Sequence, residues 1–172
     1  MIKSPWLLLA LGLLAPLASH AADYSLTLSN VHLCCNSCVK DANAAVTPAM
    51  GASAAADKAS RTIKITASSQ ASAQKAVDAL VAAGFYGEPS DPKIQMGAVT
   101  APDAHVHSLK VSGVHLCCNK CVSTVNKTVA KVPGVKGTTA SKDADSYEIT
   151  GDFNAREAVN ALTAAGFAAK VD

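Results

Sequence analysis

The chain has 172 residues, of which 49% are hydrophobic and 16% charged, with a formal net charge of +2. So small an excess of Lys and Arg excludes a nucleic-acid binder that works by displacing counterions from phosphate. Aromatics are only 4% and alanines number 34, so large side chains are scarce. The length then suits one average domain or two very small ones rather than a large enzyme.

In chain order, Lys3 precedes an apolar run from Trp6 to Leu17, broken only by Gly12 and Pro16. Ser19-His20-Ala21 places small residues where a signal peptidase reads. Residues 1–21 are therefore expected to be a signal peptide, with the mature chain starting near Ala22. The run is shorter than the roughly 20 apolar residues of a membrane span, so no anchor is expected after cleavage. The expected location is periplasmic or secreted.

Residues 24–28 alternate in polarity, as a half-buried strand does. A cysteine-rich string follows, and then Val39, Ala42 and Val46 mark one helix face that Gly51 ends. An alanine-rich strand is expected at 52–57 and an alternating strand at 62–66. A second helix turns Val77, Leu80 and Val81 inward and stops at Ala82-Ala83-Gly84-Phe85. Gly84 suits the left-handed position after a helix, with Phe85 folding back on the last turn. A short strand closes the unit.

The whole pattern then recurs. SLTLSNVHLCCNSC at 25–38 and SLKVSGVHLCCNKC at 108–121 share ten of fourteen residues. AVDALVAAGF at 76–85 and AVNALTAAGF at 158–167 share eight of ten. Matching blocks in the same order imply a duplicated domain. In the second copy Val122, Val125, Val129 and Val132 mark the first helix, with Val159 and Leu162 in the second. Strands are expected around 135–140 and 147–150. Each copy reads βαββαβ, so the fold class is α+β: two tandem ferredoxin-like sandwich domains. The expected boundaries are 22–90 and 107–172. Residues 91–106, rich in Pro, Gly, Ala and Asp, read as a linker.

The six cysteines form two sets: Cys34, Cys35 and Cys38, then Cys117, Cys118 and Cys121. His32 and His115 stand two residues upstream of each set. A structural disulfide framework joins distant segments, whereas a bridge inside a five-residue window closes almost no loop. A helix starting near Cys34 would gather each set on one face and favour thiolates at its N-terminus. Thiolates so clustered select soft ions over Mg(II) or Ca(II). His32 and His115 are either a further nitrogen ligand or exposed loop residues. His105 and His107 read as exposed linker residues.

A βαββαβ unit with C-x-x-C between its first strand and first helix resembles the heavy-metal-associated domain. That resemblance covers both copies, and it implies Cys35 with Cys38, and Cys118 with Cys121, as soft-metal ligands. The chain departs from the family pattern in its extra cysteine, Cys34 or Cys117, and in Leu33 and Leu116 where the family keeps Met. A site of three or four ligands is thereby open, drawn from Cys34, Cys35, Cys38 and His32, and from Cys117, Cys118, Cys121 and His115. The expected function is a carrier or scavenger of Cu(I), with Zn(II) and Hg(II) as alternatives, at one cysteine site per domain. The metal ion is the expected partner, with a metal transporter or acceptor protein as the macromolecular one and no nucleic acid. No nucleophile–base set, carboxylate pair or phosphate loop points to an enzyme. The alternative function is a thiol–disulfide redox protein using the C-x-x-C pairs.

Overall fold

Alternation in Tyr24–Ser29 (β1) buries Leu26 and Leu28, which stand opposite Ile65 and Ile63 of Thr62–Ala67 (β3). Ala52–Asp57 (β2) forms despite its alanines because every residue pairs with β3. The helices Asn36–Ala45 (α1) and Gln70–Ala82 (α2) pack on this sheet, and Glu88–Pro89 (β4) completes it beside β1. The strand order is β2-β3-β1-β4, with antiparallel pairing throughout. The computed structural model describes residues 23–97 and 99–171, so the expected signal peptide at 1–21 lies outside the described residues. Among the described residues no helix is long and apolar enough to cross a membrane.

The second unit repeats this arrangement. His105–Ser112 (β5), Asn119–Val129 (α3), Val135–Thr138 (β6), Ser146–Asn154 (β7), Ala155–Ala164 (α4) and Lys170–Val171 (β8) give the order β6-β7-β5-β8. Leu109 faces Ile149 and Val111 faces Tyr147, all four buried. Both units are therefore ferredoxin-like sandwiches. β5 begins at His105, inside the segment expected as linker, because His105 pairs with Asn154. The rest of that segment is fastened down. Ile94 is buried, the Gln74 side chain bonds both Gln95 backbone groups, and Asp103 accepts from Asn154 and Arg156.

Both second helices end as their sequence predicts. Gly84 and Gly166 each adopt φ +88°. The Phe85 amide donates back to Leu80, and the Phe167 amide to Leu162. These two ends also dock on each other. Phe85 and Phe167 form an antiparallel bridge, the Ala168 amide donates to Gly84 at 3.0 Å, and the Tyr86 amide donates to Gly166 at 3.2 Å. A methyl group at Gly84 would lie 2.5 Å from the His115 amide nitrogen, and one at Gly166 would lie 2.4 Å from that of His32. Each unit thus presses its helix end against the cysteine loop of the other. The result is a local two-fold arrangement within one chain.

Two stability outcomes follow from this packing. Gly166→Ala is expected to cost about 1–2 kcal/mol through its left-handed backbone alone, and more through the clash with His32. Denaturant unfolding measures it. Tyr147 is 3% exposed and its hydroxyl has no hydrogen-bond partner among the described residues. Tyr147→Phe is therefore expected to leave stability unchanged or raise it by up to about 1 kcal/mol, read as a melting-temperature shift.

Candidate metal centre

Each cysteine loop is anchored from beneath by alternate apolar residues. Val31 and Leu33 are buried in the first, Val114 and Leu116 in the second. The chain then turns into a helix at Cys35 and Cys118, the N-cap residues of α1 and α3. Their counterparts on α2 and α4, Ser69 and Asn154, accept amide hydrogen bonds from the first turn. The cysteines make no such full cap, and neither helix has an acidic residue in its first turn. The positive ends of both helices therefore face sulfur. Cys38 and Cys121, one turn further on, are fully buried.

The expectation that the helix begins near Cys34 is corrected, since α1 starts at Asn36. Cys34 and Cys117 lie just outside their helices, and this frees their side chains to reach the other domain. Cys34 Sγ is 3.5 Å from both Cys118 Sγ and Cys121 Sγ, and 3.8 Å from Cys38 Sγ. Cys117 Sγ is 3.5 Å from Cys38 Sγ, 3.9 Å from Cys35 Sγ and 3.9 Å from Cys121 Sγ. Within the pairs, Cys35–Cys38 is 3.5 Å and Cys118–Cys121 is 3.6 Å. Cys38 and Cys121 are 3.9 Å apart across the interface. The two sets thus meet across the domain boundary in one six-sulfur cluster, while the sulfurs of Cys34, Cys35 and Cys38 of the first domain also lie within 4.8 Å of one another. All six thiols are free.

Crowding divides the protons unequally. The Cys121 thiol beside Cys38 is the main force holding Cys38 far below the usual thiol range, against the effect of burial. The same contact, with burial, drives Cys121 up. The two titrate as a unit. Burial above all raises Cys34 to about 12 and lifts Cys117 as well. Burial also opposes ionisation of Cys118, yet the Cys121 and Lys120 amides and the neighbouring thiols bring it to about 7. Sulfurs this close resist carrying a charge each, and a bound cation removes that repulsion.

Neither histidine is an exposed loop residue. The His32 ring stacks on Phe167 of the other domain with centroids 4.2 Å apart, and His115 meets Phe85 at 4.4 Å. Burial holds the His32 pKa below its ordinary value. The Nε2 atoms of both are buried without a hydrogen-bond partner among the described residues. A His32 ring nitrogen lies within 4.8 Å of Cys34 Sγ and Cys121 Sγ, which leaves it near the centre as well as in the interface. His115 Nε2 stands 3.6 Å from the Asp41 carboxylate. His105 and His107 are exposed on β5.

Two clefts lead to the centre at equivalent places in the duplicated halves. One, of about 400 Å³, runs past His115 and Cys117 and is lined by Asp41, Asp143 and Asp145. The other, of about 410 Å³, runs past His32 and Cys34 and is lined by Lys58, Arg61 and Thr124. Asp41 is a site residue that the sequence did not signal, because Thr124 occupies its place in the other copy.

Residues 108–168 match the model of the heavy-metal-associated domain. That segment makes up most of the second unit and 61 of the chain's 172 residues. The first unit repeats its fold, its V-H-L-C-C-N-x-C string and its A-A-G-F helix end. Among solved structures, the chain is similar to the N-terminal soluble domains of Bacillus subtilis CopA, at 15% identity and a TM-score of 0.30. That match covers 88% of this chain and 95% of the other. No curated protein matches the chain.

The stacking of His32 predicts a structural role separable from metal. His32→Ala is expected to destabilise the metal-free protein by about 1–2 kcal/mol, since an aromatic pair contributes about 0.5–1.5 kcal/mol beyond its burial. Thermal unfolding in the presence of a chelator and a reductant measures this.

Proposed function

We propose that the chain is an exported protein that binds a soft metal, Cu(I) first among candidates, and retains it as a scavenger. The observation that carries this reading is the meeting of six free thiols, three from each domain, with sulfur spacings of 3.5–3.9 Å. Thiolates prefer Cu(I), Zn(II) or Hg(II) to hard cations, and sulfur-only sets of low coordination favour Cu(I) among these. The proposed ligands are Cys34, Cys35, Cys38, Cys117, Cys118 and Cys121. His32 and His115 act first as packing residues, with a nitrogen near the sulfurs. More than two thiolates around an ion slow its release, which suits retention better than rapid transfer. The leader-like residues 1–21 support export, and the domain type supports a metal transporter or acceptor as eventual partner.

A second reading keeps one observation of its own. The 3.5 Å approach of Cys35 to Cys38 also suits a reversible disulfide, and thus a thiol–disulfide redox protein. Anaerobic titration of the reduced mature protein with Cu(I), against a competing chelator, decides between them. Retention of Cu(I) with loss of free thiol is expected. Failure to retain any soft ion, together with turnover of a disulfide substrate, would leave the redox reading.

A further inference from the structure

The extra cysteine of each domain finds its closest sulfur in the other domain, at 3.5 Å against 3.8 Å or more for the pair's inner cysteine in its own. Cys34 Sγ, Cys118 Sγ and Cys121 Sγ form a triangle with sides of 3.5, 3.5 and 3.6 Å. Cys117 Sγ, Cys38 Sγ and Cys35 Sγ form its counterpart, with sides of 3.5, 3.9 and 3.5 Å. These two triangles use each sulfur once. Within its own domain Cys34 is 3.8 Å from Cys38, and Cys117 is 3.9 Å from Cys121, which equals its distance to Cys35 but exceeds the 3.5 Å to Cys38 across the boundary.

Metal–sulfur bonds of about 2.3 Å place three sulfurs in a plane around one ion roughly 4.0 Å apart, and two opposite sulfurs roughly 4.6 Å apart. The observed sides fall just short of the three-coordinate spacing, so a slight opening of each triangle admits an ion. We infer that the chain holds two three-coordinate sites exchanged between domains. In each, the C-x-x-C pair of one domain is completed by the extra cysteine of the other. Cys34 serves Cys118 and Cys121, while Cys117 serves Cys35 and Cys38. This rests on the soft-metal reading above and adds to it the partner of each ligand. It also gives the duplication a chemical purpose, because neither domain alone supplies the third sulfur from the nearer position. Bound ions then hold the domains together.

The test uses the full mature chain loaded anaerobically with Cu(I), then challenged with a Cu(I) chelator and a thiol-alkylating reagent. Cys34 and Cys117 are only half-buried, so replacing them spares the fully buried pair Cys38 and Cys121. In Cys34→Ser the first thiol alkylated is expected to be Cys118, at least tenfold faster than in the unaltered chain, with Cys35 still protected. In Cys117→Ser the order is expected to reverse, with Cys35 modified first. X-ray absorption on Cys34→Ser/Cys117→Ser is expected to give two sulfurs per copper in place of three. Loss of protection at Cys35 in Cys34→Ser would mean that each extra cysteine serves its own domain, and overturns the exchange. Rates equal to the unaltered chain would mean that the extra cysteines are not ligands, and a bound stoichiometry above two would mean that the sulfurs bridge ions in a shared cluster, which overturns two separate sites. An unaltered chain with no cysteine protected by Cu(I) would instead defeat the soft-metal reading beneath it.

Discussion

The antiparallel bridge between Phe85 and Phe167 is the contact on which the metal centre depends. It forms where two helices end, and both ends have glycine in the left-handed conformation that turns the next amide outward. The carbonyls of Gly84 and Gly166 are then left to accept bonds from the opposite unit. Two small cores, short of aromatic residues, thus share a boundary that each could not cover alone. The histidine rings fill it, one from each side. Because each cysteine loop immediately follows its histidine, docking the histidines brings the sulfurs together.

The electrostatics of the centre follow from that placement. Two helix N-termini point into one small volume, which favours negative charge there. Six thiols in the same volume repel one another once ionised. Burial above all raises Cys34, while the hydrogen bond from the Cys121 thiol holds Cys38 low. Helix ends that elsewhere in the chain are capped by Ser69 and Asn154 are here left to sulfur. Local helix stability has been exchanged for ligand character.

Much of this was legible in the residues, and the limits have physical causes. Alternation placed β1, β3 and β5, and the glycines after α2 and α4 took their expected conformation. Repetition revealed the duplicated sandwich. Periodicity reports only which face of an element is buried, however, and not what covers it. It could not show that Phe85 reaches Phe167, or that His32 is buried by a residue 135 positions away. Cys34 was misplaced on the helix for a related reason. The helix starts two residues later, and that shift turns the extra cysteine from its own set toward the other. The composition of 91–106 suggested a plain connection, whereas specific bonds from Gln74, Asn154 and Arg156 bind parts of it to both units.

Duplication followed by divergence has left the two clefts unlike. Asp41, Asp143 and Asp145 stand in one where Thr124, Lys58 and Arg61 stand in the other. A perfectly two-fold molecule would offer visitors two identical doors. This one has a front and a back: a cation drifting inward is drawn along the carboxylate side and repelled along the other, while an acidic surface meets the reverse. The centre is symmetric in sulfur and asymmetric in approach.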